Sequence, residues 1–543
     1  MKKSCLLSFF CGAALTPLVS CTTFSAQNEQ GPLKIGWAKR SLDPAYPVPI
    51  LGQFYLRVSL GTYTPVYASC LLLENGKDLV AFVSCDMRDV NPDVLLKVQA
   101  LLRAEIPGFP AEKLIINATH THAGPGSADV GDYPRKVEMK SGEEVRIFLA
   151  RQIADAVKEA WEKRAPGSIA YGYGFATTGH SRRTVYLEDI GKKYPAKSGI
   201  AVNGFAKMYG KTNDPLFASY EAGTDSFINL LYAFDASGKL SAAVINVPCP
   251  SQTNEHSWEL HASFWHQVRE KLTEKYGDIC IVGQSAAAGD LAPRQLHYLE
   301  AEKRRYKLKY PDKIAQFMAN PMKRPPVPGE DVQAENEKAC LDFMRAEDIA
   351  DRIVAAFDEV LSWAGKEKIS NPKLKHEVRT VNLSRRMFPK DMMEAEKANL
   401  EALMKEQYVT DGDPWTMLRV NSKLRNRRNG CNKVIKRYEI QDSEPEIPSD
   451  LHAVRIGDIA FVSCRFELFI DYMHRIQARS PFIQTFIVQL TTEPNGSGSY
   501  LATERAEKNK GYSASPYCNQ VSYKGGQQLV EESLKMLEEL KDK

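Results

Sequence analysis

The sequence predicts an α/β protein with mixed sheets flanked by helices, on three observations. Apolar runs of strand length recur along the chain, stretches with helical apolar spacing lie between them, and no Pro/Gly/Ser linker separates one part from another. The strand-length runs cover residues 70–73, 79–85, 114–116, 227–234, 242–247, 279–282, 459–464 and 486–490. They are short, continuous and rich in Val, Ile and Phe, which marks buried strands rather than helices. The helix-period stretches cover residues 92–105, 144–164, 258–276, 347–363, 389–407 and 527–541. No fixed-period repeat is visible.

Composition bounds the function before any motif is read. The chain has 543 residues with 71 Lys and Arg against 67 Asp and Glu, and 43% of it is hydrophobic. A chain of this length buries roughly three quarters of its unfolded surface, so it needs neither disulfide nor metal merely to hold a core. Disorder, coiled coil, collagen and small secreted scaffolds are excluded. A formal net charge of +4 supplies no global field for nucleic acid.

Residues 1–20 read as a signal peptide: Lys2 and Lys3, then an apolar run from residue 6 to 19, then Ser20. The run Leu18, Val19, Ser20, Cys21 looks like a bacterial lipoprotein box, with Cys21 as the lipidated first residue of the mature chain and residues 21–32 as a tether. The expectation is an exported protein anchored by lipid to a bacterial membrane. Beyond the leader and Cys21, eight Cys remain: 70, 85, 249, 280, 340, 431, 464 and 518. None forms a CxxC pair, and eight Cys allow about 105 pairings among which the sequence does not choose.

Two stretches stand apart in charge. Residues 299–342 are polar and Pro-interrupted and read as a helical excursion from the core, with a basic cluster at Lys303, Arg304, Arg305, Lys307 and Lys309 that suits a solvated helix face. Residues 419–437 hold eight Lys and Arg and no acid, which suits either a plain surface or an acidic substrate or lipid.

The chemistry concentrates at residues 115–126, where an apolar strand runs through Asn117, Ala118, Thr119, His120, Thr121 and His122 into Ala123, Gly124, Pro125 and Gly126. Residues i and i+2 of a strand share a face, so His120 and His122 are expected to project together at a strand end before a tight turn. Imidazole there serves as a metal ligand or a proton carrier.

The string from Asn117 to Gly126 resembles the Thr-His-Thr-His-Ser-Gly-Pro-Gly signature of neutral/alkaline, non-lysosomal ceramidases. Further stations follow in the same order: Ser84-Cys85-Asp86, Gly179-His180-Ser181-Arg182-Arg183, Asn246 to Ser251, Gly289-Asp290-Leu291-Ala292-Pro293, Arg465-Phe466-Glu467-Leu468 and Ser499 to Thr503. The resemblance runs from about residue 33 to residue 543 and implies one large catalytic domain. It also implies a zinc ion that activates water against an N-acyl bond, with a small-molecule or lipid amide as substrate. Carried onto matching positions, the ligands would be His120, Cys249, Glu467 and Tyr500, and the catalytic residues His122, Arg182, Asp290 and Tyr512.

Two positions depart from the family. Its second His ligand falls in a His-Pro-Thr-like triplet, which here reads Cys249-Pro250-Ser251. Either Cys249 replaces the His, since thiolate binds zinc, or the alignment slips and Pro250 stands there, with His256, His261 and His266 as nearby substitutes. The second departure is Ala292, where ceramidases carry Ser. Two rivals stay open: a lipid-anchored scaffold without catalysis, and a serine hydrolase. In the latter Ser285, in the run Gly283-Gln284-Ser285-Ala286-Ala287, would act as nucleophile with Asp450 and His452 or Asp471 and His474.

Overall fold

The computed structural model describes residues 31–191 and 203–543. The leader at residues 1–20 and Cys21 lie outside the described residues. Three sheets of four main strands carry the architecture, and each is built in the same way. The first contains β1 (Lys34–Ser41), β2 (Tyr67–Asn75), β3 (Asp78–Cys85) and β4 (Leu114–Ala118); the second β5 (Ser168–Phe175), β6 (Phe227–Phe234), β7 (Leu240–Val247) and β8 (Cys280–Ser285). The third contains β9 (Leu374–Ser384), β10 (Glu446–Ile456), β11 (Ile459–Ser463) and β12 (Gln484–Val488).

In every sheet the first three strands run antiparallel in sequence order and the fourth lies parallel beside the third. A parallel neighbour requires a crossover, and a helix supplies it each time. These are α1 (Pro92–Glu105), α3 (Phe264–Tyr276) and α7 (Ile470–Arg479). A second helix then returns over the first strands: α2 (Gly142–Glu162), α4 (Val332–Ala364) and α8 (Tyr523–Asp542). The chain is thus a threefold βββαβα repeat within one large mixed domain. The sequence shows no such repeat because the insertions differ in length and the units share topology rather than residues.

Local chemistry supports these elements. Asn91 caps α1 by accepting from the backbone N–H of Asp93, with Pro92 in the first turn. Ser141 and Glu144 form a reciprocal capping box on α2. The inner faces of all three sheets meet in one apolar core that includes Leu71, Phe82, Leu231, Val282, Val454 and Phe461. The Phe461 ring stacks on Phe486 at 4.2 Å and lies 4.7 Å from Phe82.

The carboxyl ends of the three parallel strand pairs are stitched together. The Ala118 N–H donates to the Leu490 carbonyl at 3.1 Å, the Gln489 N–H to the Ser285 carbonyl at 3.1 Å, and the Ser251 N–H to the Thr119 carbonyl at 3.1 Å. Asn246 Nδ2 adds a 2.8 Å bond to the Ile487 carbonyl, and the Ser84 hydroxyl donates to the Gly283 carbonyl. Each unit is bonded to the other two at this end.

Two insertions bear on the site. Helices α5 (Lys390–Lys405) and α6 (Pro414–Ile440) pack as a pair between β9 and β10. The polar stretch at 299–342 forms two helices, Leu299–Lys309 and Pro311–Ala319, and the start of α4. Its own small core holds Tyr306, Phe317 and Met344. Part of its basic cluster is paired: Lys303 with Glu300, and Arg305 and Lys309 with Asp348. All eight Cys among the described residues are free thiols. No described helix is long and apolar enough to cross a membrane.

Asp86 is fully buried just beyond β3, where its carboxylate receives two bonds from Arg269 of α3, at 2.6 and 3.1 Å. Removing one partner of a buried pair strands the other charge in a medium that cannot solvate it. Arg269→Leu is therefore expected to destabilise the chain by about 3–5 kcal/mol in urea unfolding. A loss within experimental error of zero would show that the Asp86–Arg269 pair is not an anchor of the fold.

Candidate active site

Above the stitched strand ends lies a cleft of about 170 Å³, lined by Gly52, Arg88, Asp89, His120, His122, Glu467, Leu490, Ser499, Tyr500 and Tyr512 among others. Unusual backbone builds it. Among the described residues seven non-glycine positions have left-handed φ, and three of them, His120 (67°), Leu490 (55°) and Ser499 (90°), line this cleft. Strain of this kind costs about 1–3 kcal/mol per residue and persists only where surrounding contacts enforce it.

β4 ends at Ala118, so His120 and His122 lie beyond the strand rather than on one strand face. The turn at His120 brings the two rings together instead, edge-on with centroids 5.0 Å apart. His120 Nδ1 donates to the Arg88 carbonyl at 2.7 Å, which turns Nε2 into the cleft, 3.4 Å from Glu467 Oε2. His122 is held on both sides, with Nε2 2.6 Å from the Gln252 amide and Nδ1 3.5 Å from Glu255. Burial lowers its pKa to about 4, so the ring is neutral. Gly52 faces it so closely that a Cβ there would sit 2.4 Å from the imidazole.

Glu467 and Tyr500 are opposite residues of a two-residue parallel ladder, which sets their side chains next to one another. Gly289 approaches the same segment: a Cβ there would lie 2.2 Å from the Glu467 carbonyl oxygen, and its N–H donates to the Leu468 carbonyl at 2.7 Å. Arg182 Nη2 donates to the Tyr500 hydroxyl at 3.1 Å and the Gly289 carbonyl at 2.8 Å, and lies 3.7 Å from Glu467. Burial pushes the Glu467 carboxyl up, but His120 and Arg182 outweigh it and hold it down at about 2. Burial also pushes the Tyr500 and Tyr512 phenols up, so both are neutral hydroxyls. The Tyr512 ring packs edge-on against Tyr500 at 5.8 Å. Its segment is anchored by buried Arg183, which pairs with Glu221 and reaches Ser513 at 3.2 Å.

His120, His122, Arg182, Glu467, Tyr500 and Tyr512 therefore come together, and Cys249 and Asp290 do not. The Cys249 thiol is buried outside the cleft and donates to the Thr178 carbonyl at 3.2 Å. Burial raises its pKa, keeping it a protonated thiol rather than a thiolate ligand. Its backbone follows β7, the place in the second unit that Glu467 occupies beyond β11 in the third, but its short side chain ends in the core. His256, His261 and His266 do not line the cleft either; His266 faces Glu270, and His261 bonds to the Asn254 carbonyl. Asp290 is buried and accepts from the Ile470 N–H at 3.0 Å, capping the start of α7, while its backbone carbonyl receives the Arg182 N–H. It positions Arg182 and α7 and does not face substrate.

Ser285 does not stand as an exposed nucleophile either. Its hydroxyl is buried, donates to the Cys249 carbonyl at 3.1 Å and accepts from Gln489 at 3.0 Å. His452 bonds to His376 at 2.9 Å and His474 faces Asp225 at 3.1 Å, so neither serves Ser285.

The donors facing one another are thus one nitrogen and two oxygens, from His120, Glu467 and Tyr500. Catalytic zinc sites use three protein ligands and leave a place for water. The backbone bond at His120 Nδ1 is the orienting contact such a ligand needs. This donor set fits zinc. Counting only His, Cys, Asp and Glu, no group of three or more among the described residues is placed to hold a metal, so the fit depends on the phenol. Sequence reading missed Arg88, Gln252 and Glu255; only the proximity of Glu255 to His256 marked that region, and neither spacing nor motif distinguishes it.

No family model matches the chain. In sequence it is similar to the neutral ceramidase of Pseudomonas aeruginosa, at 24% identity over 302 residues that cover 53% of this chain and 41% of that protein. The match therefore spans less than half the length of that relative. In structure it is similar to the crystal structure of neutral ceramidase from Pseudomonas aeruginosa, with a TM-score of 0.57 at 17% identity, covering 94% of this chain and 75% of that one. A ceramidase complexed with C2 matches with a TM-score of 0.56 at 16% identity over the same shares. The resemblance read from the motifs holds, and so does the single mixed domain it implies.

Burial raises the Asp290 carboxyl to about 7, against 3.8 in the open. The folded chain holds this proton more tightly than the unfolded chain, so the stability it contributes is complete below pH ~4 and is lost as pH rises through ~7. Urea unfolding is expected to show a decline of a few kcal/mol between pH 5 and 8 that Asp290→Asn flattens. An unchanged slope in the variant would assign the decline to another group.

Proposed function

We propose that the chain hydrolyses an amide (N-acyl) bond in the manner of a ceramidase and depends on zinc for that reaction. One observation carries the reading: Glu467 is held ionised between the His120 imidazole, the guanidinium of Arg182 and the hydroxyl of Tyr500, in a polar cleft. The similarity to neutral ceramidase supports the reaction class. Zinc held by His120, Glu467 and Tyr500 would supply an activated water and polarise the amide carbonyl.

The chain's own residues perform the remaining work. Arg182 fixes the Tyr500 hydroxyl and places fixed positive charge where negative charge develops on the carbonyl oxygen. His122 is neutral and backed by Glu255, so it can take a proton at Nε2 when Gln252 gives way and pass it to the departing amine. Glu255 then stabilises the imidazolium, as a carboxylate does behind any general-base histidine. A cleft of about 170 Å³ accommodates the amide and its nearest atoms, and the rest of the substrate lies outside it. With the leader and a lipidated Cys21, this is an exported enzyme held at a bacterial membrane.

A scaffold reading draws on one fact, the withdrawal of Cys249 from the ligand set. A panel of N-acyl substrates separates the two. Zinc-supplemented protein is expected to release free acid, with turnover lowered about a thousandfold or more in His120→Ala and Glu467→Gln and retained in Ser285→Ala. Absence of turnover on the whole panel, with zinc bound and the fold intact, would favour the scaffold.

A further inference from the structure

Beside the catalytic cleft is a second cavity of about 370 Å³ that shares Ser499, Tyr500 and Tyr512 with it. Its far wall is α6, which contributes Arg425, Asn426, Asn429, Lys433 and Arg437, and Phe54 and Tyr517 complete it. Among the described residues no carboxylate lines this cavity.

The cations on that wall are not neutralised by side chains. Arg425 donates to the Asp129 carbonyl at 3.3 Å, and Arg437 to the Pro516 carbonyl at 2.7 Å and the Asn519 carbonyl. Backbone oxygens orient these guanidinium groups without cancelling their charge. Arg437 Nε is buried and has no hydrogen-bond partner, and burial, together with Arg385 and Arg386, lowers its pKa to about 10. Elsewhere on the helix the same residue type is paired, Arg419 with Glu330 and Arg427 with Glu406. Lys423, Arg428 and Lys436 also lack a carboxylate partner but lie away from the cavity, whereas Arg425, Lys433 and Arg437 line it. Across both cavities the lining holds four cations, Arg88, Arg425, Lys433 and Arg437, against the carboxylates Asp89 and Glu467. Arg88 is already committed to Asp89, with bonds of 2.8 and 2.9 Å. The excess positive charge therefore sits on the α6 side, alongside two amide side chains that can also donate.

We propose that this cavity is a subsite for an anionic group on the substrate, a carboxylate, sulfate or phosphate lying beyond the scissile amide. The inference rests on the hydrolase reading and narrows it: the preferred substrate is an N-acyl compound with an oxoanion on its polar portion, rather than a neutral amphiphile. Arg425 and Lys433 recognise the anion, Asn426 and Asn429 add hydrogen bonds, and Arg437 holds the Tyr517 segment while adding to the field. The tyrosines shared by both cavities set the distance from anion to amide. These contacts weaken with salt, as charge pairs near solvent do.

The test uses the zinc-supplemented full chain and two readouts. Calorimetric titration with inorganic phosphate is expected to show one site per chain. Its affinity should fall at least tenfold in the double variant Arg425→Gln, Lys433→Gln, and persist in Lys436→Gln, an exposed position on the same helix; thermal unfolding confirms that each variant is folded. In the second readout, matched N-acyl substrates that differ only in an anionic or a neutral polar group are compared by KM. The wild type is expected to favour the anionic member at least tenfold, and the double variant to lose that preference. Unchanged phosphate affinity in the double variant, or equal KM for the matched pair, overturns the subsite while leaving the hydrolase reading intact. Phosphate binding that depends on Arg425 and Lys433, without turnover of any substrate, keeps the subsite and sinks the hydrolase.

Discussion

The constraint on which the structure depends is the mutual bonding of three parallel strand pairs at their carboxyl ends. Each pair ends in backbone groups that its own sheet no longer satisfies, and in the buried centre of the molecule those groups need partners. They find them in the neighbouring units: Ala118 with Leu490, Gln489 with Ser285, Ser251 with Thr119. The closure holds the loops after six strands against one another. Because rigid strands deliver the loops, side chains from residues 120 and 182 meet those from residues 467 and 500 although the two pairs are hundreds of positions apart. A site at the carboxyl ends of parallel strands follows the general rule for α/β folds, here repeated around a threefold arrangement.

The three units share topology but contribute unequally to the chemistry. The first gives the paired histidines and the third gives Glu467 and Tyr500. From the second come Arg182, Glu255 and Gln252, while the residue that follows its β7 strand, Cys249, is turned into the core. The cleft is consequently rich in fixed charge: Arg182 and Arg88 face Glu467 and Asp89, and neutral His122 leans on Glu255. Such an arrangement keeps one carboxylate ionised at the base of the cleft despite the burial that opposes its charge, the condition a metal-binding or oxyanion-stabilising centre requires. The insertion between β9 and β10 then adds the cationic wall of α6, so the proposed anion subsite lies on an element outside the threefold core.

Much of this was legible in the sequence where burial makes the pattern plain. The continuous apolar runs at residues 227–234 and 79–85 are strands, and 92–105 is a helix with the bounds its spacing predicts. Strands with alternating exposure, such as β9 and β10, were missed because their polar outer residues dilute the apolar signal. Helix α6 read only as a basic stretch, since its charge hides a narrow apolar stripe that includes Met417, Leu418, Leu424 and Val434. At the site, the motif resemblance named His120, Arg182, Glu467 and Tyr500, which the fold brings together. It also named Cys249 and Asp290, which the fold turns away from the cleft, because a motif alone does not show whether a short side chain faces the cleft or the core. The strand argument for His120 and His122 gave the right proximity from the wrong geometry, because a left-handed residue and not the pleat turns the rings together.

A metal centre built from the nitrogen and oxygen donors of His120, Glu467 and Tyr500 would tolerate cysteine at position 249, because that thiol points into the core and takes no part. X-ray absorption at the zinc edge of the metal-loaded full chain tests it most directly. The expected spectrum has nearest neighbours of nitrogen and oxygen at about 2.0–2.2 Å and no sulfur contribution, unchanged in Cys249→Ser. A sulfur scatterer at about 2.3 Å that disappears in Cys249→Ser, or no zinc bound at all, would contradict it.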